Sequence, residues 1–382
     1  MAGWRWLDRL SGAGLALSGG TLLVNLLWFR QPEGELPPDP PRVSVLVPAR
    51  NEARSIGPCA RSLLAQDYPN FEVLVLDDGS EDETGAILAA LQQAHSGTPA
   101  FRVLAGKPLP PDWGGKNWAC HQLAQAADPE SRFLLFTDAD TVHEPEALRR
   151  AVAEALRDGL GLLSLMPEQR METWAERLVV SLLPLQILGY LPLPAMEWLP
   201  FPSVAAANGQ YLLFRREVYE KFGGHAAYPL HLADDVMLAR QVKARGGRVR
   251  LGNGAGLVRC RMYAGAGEVV AGFRRSFAAG FRLHGALVAA MIAFNAVAYG
   301  LPFLRLPFSW AARVQVAIIL TLRVVLARRT KTARSGALAH LPGLVLLLGI
   351  QFLSLYDAFY SRRTVWRGRT YTDTRYEIRD TR

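Results

Sequence analysis

The sequence predicts an α/β fold, in which a parallel sheet is flanked by helices, with transmembrane helices on both sides of that domain. Short apolar runs rich in β-branched residues alternate with helical patterns between residues 43 and 136. This alternation is typical of a parallel sheet. Residues 10–29 and 285–304 are uncharged, and residues 337–356 are interrupted only by His340. Each stretch has 20 residues, which matches the thickness of a bilayer at the helical rise.

The predicted elements follow one another along the middle of the chain. The strands are residues 43–47, 71–76, 101–104 and 133–136, and the helices are residues 52–65, 82–94 and 117–127, with Ser80 or Asp82 as the N-cap of the second helix. Ligands of such sheets bind beyond the carboxyl ends of the strands. Polar residues occupy those positions at 48–52, 77–80 and 138–140, which predicts a binding site there.

The composition favours a membrane as the partner of this chain. Half of the 382 residues are apolar, and the formal net charge is +9. The basic residues crowd beside apolar stretches, so an anionic membrane surface is favoured over nucleic acid, and no nucleic-acid partner is predicted. Cys59, Cys120 and Cys260 show no zinc-binding spacing and are expected to be reduced thiols.

The first apolar stretch is predicted to be an uncleaved anchor. Arg5 and Arg9 precede it, as basic residues precede the apolar part of a signal peptide. Arg30 and a Pro/Glu-rich stretch, residues 31–41, follow it in place of a small-residue cleavage site. The Pro-rich stretch is interpreted as a stiff linker.

Two other apolar segments are less regular. Residues 310–327 contain Arg313 and Arg323, so they either span inside a bundle or lie flat on the membrane surface. Residues 178–204 contain five prolines, which argue against a straight spanning helix. An interfacial segment that dips into the lipid is predicted there.

These segments divide the chain into three predicted parts. Residues 1–41 are the anchor and linker, residues 42–283 are a hydrophilic domain that includes the interfacial segment, and residues 284–382 are transmembrane helices with a basic tail. The chain is thus predicted to be a multi-pass protein of the cell membrane. Basic clusters at 328–334 and 362–369 would lie on opposite sides if one helix separated them, so the number of passes and the side of the tail stay open.

Two acidic motifs follow predicted strands. In Asp77-Asp78-Gly79-Ser80 a carboxylate can accept hydrogen bonds from a uracil N–H or ribose hydroxyls, although the same residues also suit a simple turn with a helix cap. In Asp138-Ala139-Asp140 the strand end can direct one carboxylate to a ribose and the other to Mg²⁺ or Mn²⁺, which prefer oxygen ligands. The alternative for this motif is a solvated loop.

A third acidic pair and one basic loop complete the candidate site. Asp234 and Asp235 stand near the start of a predicted helix, where they either complement the macrodipole or provide a general base for an acceptor hydroxyl. Lys116 lies in a Gly-rich loop before a helix, which could bind a phosphate through backbone N–H groups and the lysine charge. The spacing differs from that of a P-loop, and no GxGxxG follows a strand.

Six motifs occur in a fixed order along the chain. They are VPARNE (47–52), LDDGSEDET (76–84), GGKNWA (114–119), TDADT (137–141), NGQYLLFRREVYEKFGGH (208–225) and LADDVMLAR (232–240). In this order they resemble the inverting glycosyltransferases of family 2. The resemblance covers roughly residues 42–283 and implies a GT-A-like, Rossmann-type, mostly parallel sheet flanked by helices. It also implies a nucleotide-sugar donor, which places the domain in the cytoplasm.

The resemblance assigns a role to each matching residue. The implied roles are nucleotide-sugar binding by Pro48, Ala49, Arg50, Glu52, Asp78, Lys116 and Asp138, metal binding by Asp140, the acceptor side at Asn208, Gly209, Gln210 and Asp234, and the catalytic base at Asp235. The implied cofactor is a divalent metal ion, Mg²⁺ or Mn²⁺. Asp234 stands where the family usually has Glu.

Within that family the chain is similar to the membrane-bound branch that glycosylates lipids, on residues 260–263, 272–273 and the tail WRGRTY at 366–371. The branch implies transfer of a sugar, with glucose expected, from a UDP-sugar to a hydroxyl or carboxyl group of a carotenoid, hopanoid or glycerolipid. The sequence lacks the Gln-x-x-Arg-Trp motif of processive synthases, so polymerisation is not expected. A polyprenyl-phosphate glycosyltransferase and a non-catalytic membrane scaffold stay open as alternatives, as does the oligomeric state.

Overall fold

The computed structural model describes residues 4–231, 233–358, 363–366 and 369–372. Leu232, Arg362 and Arg367, which belong to motifs or basic clusters named above, lie outside the described residues. The chain forms two compact units. The helical unit comprises the described parts of Met1–Trp28, Gln169–Pro192 and Arg261–Asp373, and the sheet unit comprises those of Phe29–Glu168 and Leu193–Cys260.

The sheet unit contains a mixed sheet of eight strands. They are β1 (Val43–Ala49), β2 (Phe71–Asp77), β3 (Ala100–Ala105), β4 (Phe133–Thr137), β5 (Thr141–His143), β6 (Leu162–Gln169), β7 (Tyr211–Arg215) and β8 (Val249–Cys260). Their order across the sheet is β3-β2-β1-β4-β7-β6-β8-β5. The predicted strands β1 to β4 pair in parallel, whereas β7 is antiparallel to β4 and β6, and β5 to β8. The α/β prediction is confirmed.

Fifteen helices, numbered in chain order, lie in the described part of the chain. They are α1 (Arg5–Trp28), α2 (Ile56–Leu64), α3 (Thr84–Ala94), α4 (Gly115–Ala126), α5 (Ala147–Arg157), α6 (Trp174–Val179), α7 (Leu183–Leu188), α8 (Leu193–Trp198), α9 (Arg216–Lys221), α10 (Asp234–Ala244), α11 (Ala266–Asn295), α12 (Leu301–Arg305), α13 (Trp310–Arg329), α14 (Arg334–Leu338) and α15 (His340–Tyr356). A short hairpin of β9 (Arg363–Trp366) and β10 (Arg369–Thr372) follows them.

The core of the sheet unit explains the continuous apolar runs of its central strands. Val45 and Val47 of β1 and Val73 of β2 are fully buried against Ile56 and Leu63 of α2. Strands covered by helices on both faces need apolar residues at successive positions, because neither face meets water. This packing leaves the carboxyl ends of β1, β2 and β4 as the places where polar side chains can stand.

The helix predicted from residue 52 begins later, at Ile56, because the backbone before it is held by another loop. Asn51 has a φ of 54°, outside the helical region. The N–H of Glu52 donates to Thr84 Oγ1 at 2.7 Å and the N–H of Ala53 donates to Asp82 Oδ2 at 3.1 Å. These donors therefore join the first strand end to the loop after β2, a long-range contact that local pattern does not predict.

The helical unit contains three helical stretches long and apolar enough to cross a membrane, among the residues described. They are Arg5–Trp28, Gly285–Arg305 and Trp310–Arg329. The apolar stretch predicted at 337–356 is divided into α14 and the 17-residue α15, because the backbone leaves the helical conformation at Ala339.

Arg323 shows how the segment 310–327 packs. Its side chain is 2% exposed. The guanidinium donates to Ser181 Oγ and to the carbonyl oxygen of Gly336, both at 2.8 Å. A buried guanidinium is tolerated in an apolar surrounding when it finds hydrogen-bond acceptors. The Nη atoms of Arg323 have such acceptors, whereas its buried Nε has none within the described part of the chain. The helix is therefore packed inside the helical unit.

The proline-rich stretch 178–204 is a series of short helical pieces. Residues up to Pro192 belong to the helical unit, and those from Leu193 onward belong to the sheet unit. Residues 261–283, included above in the hydrophilic domain, also belong to the helical unit. Pro184 stands in the first turn of α7, where backbone N–H groups have no partner within the helix, so the N–H that proline lacks is not needed.

Candidate active site

The carboxyl ends of β1 and β2 are tied together by the predicted nucleotide-binding residues. The N–H of Asp78 donates to the carbonyl oxygen of Ala49 at 2.8 Å. Arg50 Nη1 donates to the carbonyl oxygens of Asp78 at 2.5 Å and Gly79 at 2.8 Å. Pro48 precedes this pair within β1 and faces Leu76 of β2 in the register. The structure thus brings the motif at 48–52 against the motif at 77–80.

The two aspartates after β2 have different surroundings. Asp77 Oδ1 accepts from the N–H of Ser80 at 2.9 Å, so this carboxylate closes the turn. The turn passes through Gly79 at a φ of 68°, which glycine adopts without strain. Asp78 is buried beside the first strand end. Glu52 Oε2 accepts from Ser55 Oγ at 2.8 Å, which orients that carboxylate. Asp77 therefore has the role of a turn residue. Asp78 is the aspartate that lies among the predicted nucleotide-binding residues.

Lys116 stands at the start of α4, in a loop that is held in place. Asn117 Nδ2 donates to the carbonyl oxygens of Tyr228 at 2.6 Å and His231 at 3.1 Å, and the N–H of Gly114 donates to Pro229 at 2.6 Å. These bonds fix the lysine loop against the segment that leads into α10.

The ammonium of Lys116 forms an ion pair with the first aspartate of the motif after β4. Its Nζ lies 2.6 Å from Asp138 Oδ1. Burial disfavours the charged lysine, but Asp138 and then Asp234 outweigh this and raise the pKa of Lys116 well above its ordinary value. The lysine is therefore a permanent cation between two acidic segments.

Asp140 has the surroundings of a cation ligand. Its Oδ1 is buried, and within the described part of the chain it accepts no hydrogen bond. Burial first, then Asp138 and Glu52, raise the pKa of Asp140 to about 7. An unpaired buried carboxylate oxygen next to two more acids is unfavourable without a positive partner. The donor set therefore fits a hard divalent cation.

A complete cage of protein ligands does not surround Asp140. Across the described residues, no three His, Cys, Asp or Glu side chains converge in the geometry of an ion site. Mg²⁺ and Mn²⁺ commonly bind one or two carboxylates and take their remaining oxygens from substrate phosphates and water. Asp140, with Asp138 beside it, is compatible with such an open site.

Beneath Asp140 lies a buried polar layer. The Cys260 thiol is within hydrogen-bond reach of the Asp140 carboxylate. Gln210 Nε2 donates to Cys260 Sγ at 2.9 Å, and Thr137 Oγ1 donates to the carbonyl oxygen of Gln210 at 2.8 Å. The pairing of β5 with β8 places Thr141 opposite Cys260. Gln210, assigned above to the acceptor side, thus directs its amide to the layer below the aspartates.

Asp235 is held at the start of α10 by backbone donors. Its Oδ2 accepts from the N–H of Gly209 at 2.9 Å, and its Oδ1 from the N–H of Val236 at 2.8 Å. Burial and the neighbouring Asp234 raise the pKa of Asp235 to about 6, against the opposing effect of Lys116. A carboxylate whose pKa lies close to neutral pH is suited to accept a proton.

Asp234 points away from solvent toward a neutral histidine. The Nε2 atom of His225 lies 3.7 Å from Asp234 Oδ2. The Tyr219 hydroxyl accepts from the N–H of His225 at 3.1 Å and lies 2.8 Å from His225 Nδ1. When the hydroxyl donates to Nδ1, the ring proton lies on Nε2 and faces the carboxylate. Burial lowers the pKa of His225 to about 3, so the ring stays neutral.

Gly209 stands where Lys116 and Asp235 meet. A Cβ at this glycine would lie 3.4 Å from Lys116 Nζ and 3.5 Å from Asp235 Oδ2. The preceding Asn208 is anchored by its N–H, which donates to Ser164 Oγ at 2.8 Å, and its Oδ1 accepts from the N–H of Gln210 at 3.0 Å. The segment 208–210 thus joins the aspartates after β4 to the aspartates of α10.

Three residues of this arrangement had no role in the sequence prediction. Cys260 was predicted to be a reduced thiol and contributed to the resemblance to the lipid-glycosylating branch, and Tyr219 and His225 were only part of one motif. Cys260 is far in sequence from Asp140, whereas Tyr219 and His225 lie within 15 residues of Asp234. A buried polar residue inside an apolar run is a weak local signal, because the same pattern also suits a satisfied core residue.

Residues 44–223 match the model of the family described as Glycosyl transferase family 2. The chain is 27% identical over 229 residues to the 4,4'-diaponeurosporenoate glycosyltransferase of Staphylococcus aureus (strain MRSA252), covering 58% of this chain and 56% of that protein. The enzyme of the same name from Staphylococcus haemolyticus (strain JCSC1435) is 27% identical over 277 residues, covering 71% and 70%. The chain thus spans little more than half the length of the first of these relatives.

The fold is similar to that of the mannosyltransferase PcManGT from Pyrobaculum calidifontis, whose structure is a complex with GDP-Man and Mn²⁺. The TM-score is 0.57 at 19% sequence identity, and the likeness covers 93% of this chain and 99% of that one. The strand-end acids, the family match and this shared GT-A fold agree. Residues 44–223 therefore match a family 2 glycosyltransferase domain, within a fold similar to that of a known glycosyltransferase.

Proposed function

We propose that the chain is an inverting enzyme that transfers a sugar, with glucose as the first candidate, from a UDP-sugar to a hydroxyl or carboxyl group of a membrane lipid. The observation that carries the proposal is the meeting of Lys116, paired with Asp138 at 2.6 Å, and Asp235 around Gly209. A cation for a leaving diphosphate then stands beside a base for an attacking acceptor. This is the arrangement that a direct displacement at a sugar carbon requires.

The donor is proposed to bind at the carboxyl ends of β1 and β2. Pro48, Ala49, Arg50, Glu52 and Asp78 would border the nucleoside, since the hydrogen bonds of Arg50 give this edge a defined shape. Uridine is proposed from the family resemblance of the motifs. Since the structural relative was solved with GDP-Man, the nucleobase is a direct test of this assignment.

A divalent cation, Mg²⁺ or Mn²⁺, is proposed to be held by Asp140 with Asp138 beside it. When bound, it would neutralise charge on the departing diphosphate. The support in this chain is the buried and unpaired Oδ1 of Asp140. Lys116 would supply a second positive charge from the protein at the same place.

The proposed reaction is a single displacement. The acceptor oxygen attacks the anomeric carbon of the sugar while the bond from that carbon to the diphosphate oxygen breaks. Asp235 takes the proton of an acceptor hydroxyl, and UDP leaves with the bonding electron pair. The configuration at the anomeric carbon is inverted. A carboxylate acceptor carries no such proton, so it would need Asp235 less.

A lipid acceptor is proposed for two reasons. The relatives are named as glycosyltransferases of diaponeurosporenoate, a name that specifies a carboxylate. The chain also has helices long and apolar enough to cross a membrane. We therefore propose a multi-pass enzyme of the cell membrane with residues 1–41 as anchor and linker, a cytoplasmic catalytic domain within 42–283, and further transmembrane helices within 284–382.

The test uses the full-length protein in vesicles made from the lipids of its own cells. UDP-glucose, other UDP-sugars and GDP-mannose are offered in turn with Mg²⁺ or Mn²⁺, and the lipids are analysed by mass spectrometry. The expected result is a hexose mass added to one lipid class from a UDP-sugar. Transfer from GDP-mannose alone would contradict the donor assignment. A polyprenyl-phosphate product would favour that alternative, and the absence of both donor binding and transfer would favour a scaffold.

A further inference from the structure

The segment from residue 197 to residue 209 runs along α10. Lys243, in the last turn of α10, donates from Nζ to the carbonyl oxygen of Glu197 at 3.0 Å. Asp235, in the first turn, accepts from the N–H of Gly209 at 2.9 Å. Lys243 and Asp235 are separated by about 12 Å along a helix. Because the two ends of the segment contact opposite ends of α10, the segment is antiparallel to the helix and connects its far end with Asp235.

The start of this segment carries an exposed apolar tip, residues 198–201. Trp198 is 73% exposed, Leu199 42% and Phe201 56%. The ends of the tip are fixed, because Met196 and Ala205 are buried and the N–H of Ala206 donates to Met196 Sδ at 3.5 Å. An anchored loop that presents three large apolar side chains to solvent marks a contact site.

The acidic residue that precedes the tip is paired with two arginines. Glu197 is 8% exposed on its side chain and is paired with Arg248, at 2.9 Å, and with Arg250. The carboxylate is thereby neutralised. The side chain of Arg248 remains 48% exposed. The apolar tip is thus bordered by an exposed guanidinium at its base.

We propose that the apolar tip inserts into the interfacial layer of a membrane with anionic headgroups, and that residues 202–209 guide the polar end of a lipid acceptor along α10 to Asp235. This proposal rests on the proposed function. Tryptophan and phenylalanine are favoured at the membrane interface, and arginine beside them attracts anionic phosphates. The same chain also carries helices long enough to span a membrane. A bilayer is therefore the partner that we propose for the tip.

The first experiment measures where the tip lies. Phe201→Cys is labelled with an environment-sensitive fluorophore in the full-length protein and reconstituted in vesicles of phosphatidylcholine and phosphatidylglycerol. The native cysteines Cys59, Cys120 and Cys260 are buried, which favours labelling at the new site. Ser96→Cys, at an exposed position between α3 and β3, is the matched control. Spin-labelled lipids are expected to quench the probe at 201 and leave the probe at 96 unchanged.

Equal quenching at both positions, or quenching at 201 only by aqueous iodide, would overturn the membrane contact. A change in the 201 signal that follows protein concentration instead of lipid composition would show that a second copy covers the tip, which also overturns it. This readout needs no turnover. Failure of the proposed reaction and failure of the membrane contact are therefore distinguishable.

The second experiment measures what the tip does for the reaction. The double variant Trp198→Ser with Phe201→Ser is expected to lower kcat/KM for a vesicle-borne acceptor by about tenfold or more. Its affinity for the UDP-sugar and its turnover of a detergent-dispersed acceptor should stay close to those of the unaltered protein. Arg248→Gln should weaken only the response to phosphatidylglycerol. Equal losses with dispersed and vesicle-borne acceptors would contradict the guiding role.

Discussion

Lys116 Nζ lies 2.6 Å from Asp138 Oδ1, and a Cβ at Gly209 would lie 3.4 Å from the same ammonium and 3.5 Å from Asp235 Oδ2. One cation therefore connects the acids that follow β4 with the acids that begin α10. In sequence these three segments are far apart, and each alone suits a turn or a helix end. Their meeting is the feature from which the roles in the proposed reaction follow.

Lys116→Met is expected to lower kcat by roughly 10²–10³, because one preorganised charge for the leaving diphosphate is lost. Lys116→Arg keeps the charge in a different geometry and should recover part of that loss. Steady-state kinetics with a varied UDP-sugar concentration would measure both. Normal kcat in Lys116→Met would show that the lysine serves only to pair Asp138.

Asp235→Asn is expected to reduce turnover of a hydroxyl acceptor by about 10²–10⁴ while donor binding is retained, since a positioned base supplies a factor of that size. Calorimetry with UDP and a turnover assay would separate the two effects. Asp67→Asn is the matched control, because the Asp67 side chain is 73% exposed. If the acceptor group is a carboxylate, Asp235→Asn should reduce turnover much less.

The decrease in rate on the acid side of the pH–rate profile is expected to reflect protonation of Asp235. Burial and Asp234 raise the pKa of Asp235 to about 6, so the carboxylate gains a proton as the pH falls below that value. Turnover should then decrease by about tenfold for each further pH unit. Initial rates between pH 5 and 8 at saturating donor would measure this. A flat profile across pH 6 would contradict the assignment of Asp235 as base.

The same shift predicts how Asp235 affects stability. An acid whose pKa is higher in the folded than in the unfolded protein stabilises the fold below the unfolded pKa, and that stabilisation is lost as the pH rises through about 6. Asp235→Asn should therefore raise the Tm at pH 8, and the difference should shrink toward pH 4. Thermal unfolding in detergent at both pH values would test this. A lower Tm of the variant at pH 8 would contradict it.

Tyr219→Phe is expected to act on Asp235 at a distance. Without the hydroxyl that faces Nδ1 at 2.8 Å, the His225 ring is free to carry its proton there and turn a lone pair toward Asp234. That lone pair would add negative potential beside the two aspartates, which disfavours the anionic form of Asp235 further and raises its pKa. The acid limb of the pH–rate profile should therefore shift to higher pH. A loss of thermal stability with an unmoved limb would indicate a purely structural role.

Much of the fold follows from local pattern. The runs of β1, β2 and β4 are continuous and apolar because helices cover both faces of the sheet, and such runs are recognisable along the chain. Local pattern places the start of α2 incorrectly, because the donors of Glu52 and Ala53 bond to Thr84 and Asp82. The antiparallel strands β5 to β8 also escaped prediction, since their partners are distant in sequence.

The sequence by itself determined the kind of domain, the strand ends that carry acids, and the order of motifs that indicates a family 2 glycosyltransferase. Only the tertiary structure decided which acids come together and what supports them. Lys116 joins Asp138, Gly209 holds Asp235, and Tyr219 orients His225 toward Asp234. The physical reason is that apolar periodicity is a property of a single segment. A hydrogen bond or an ion pair between distant residues depends on which segments the folded chain brings together.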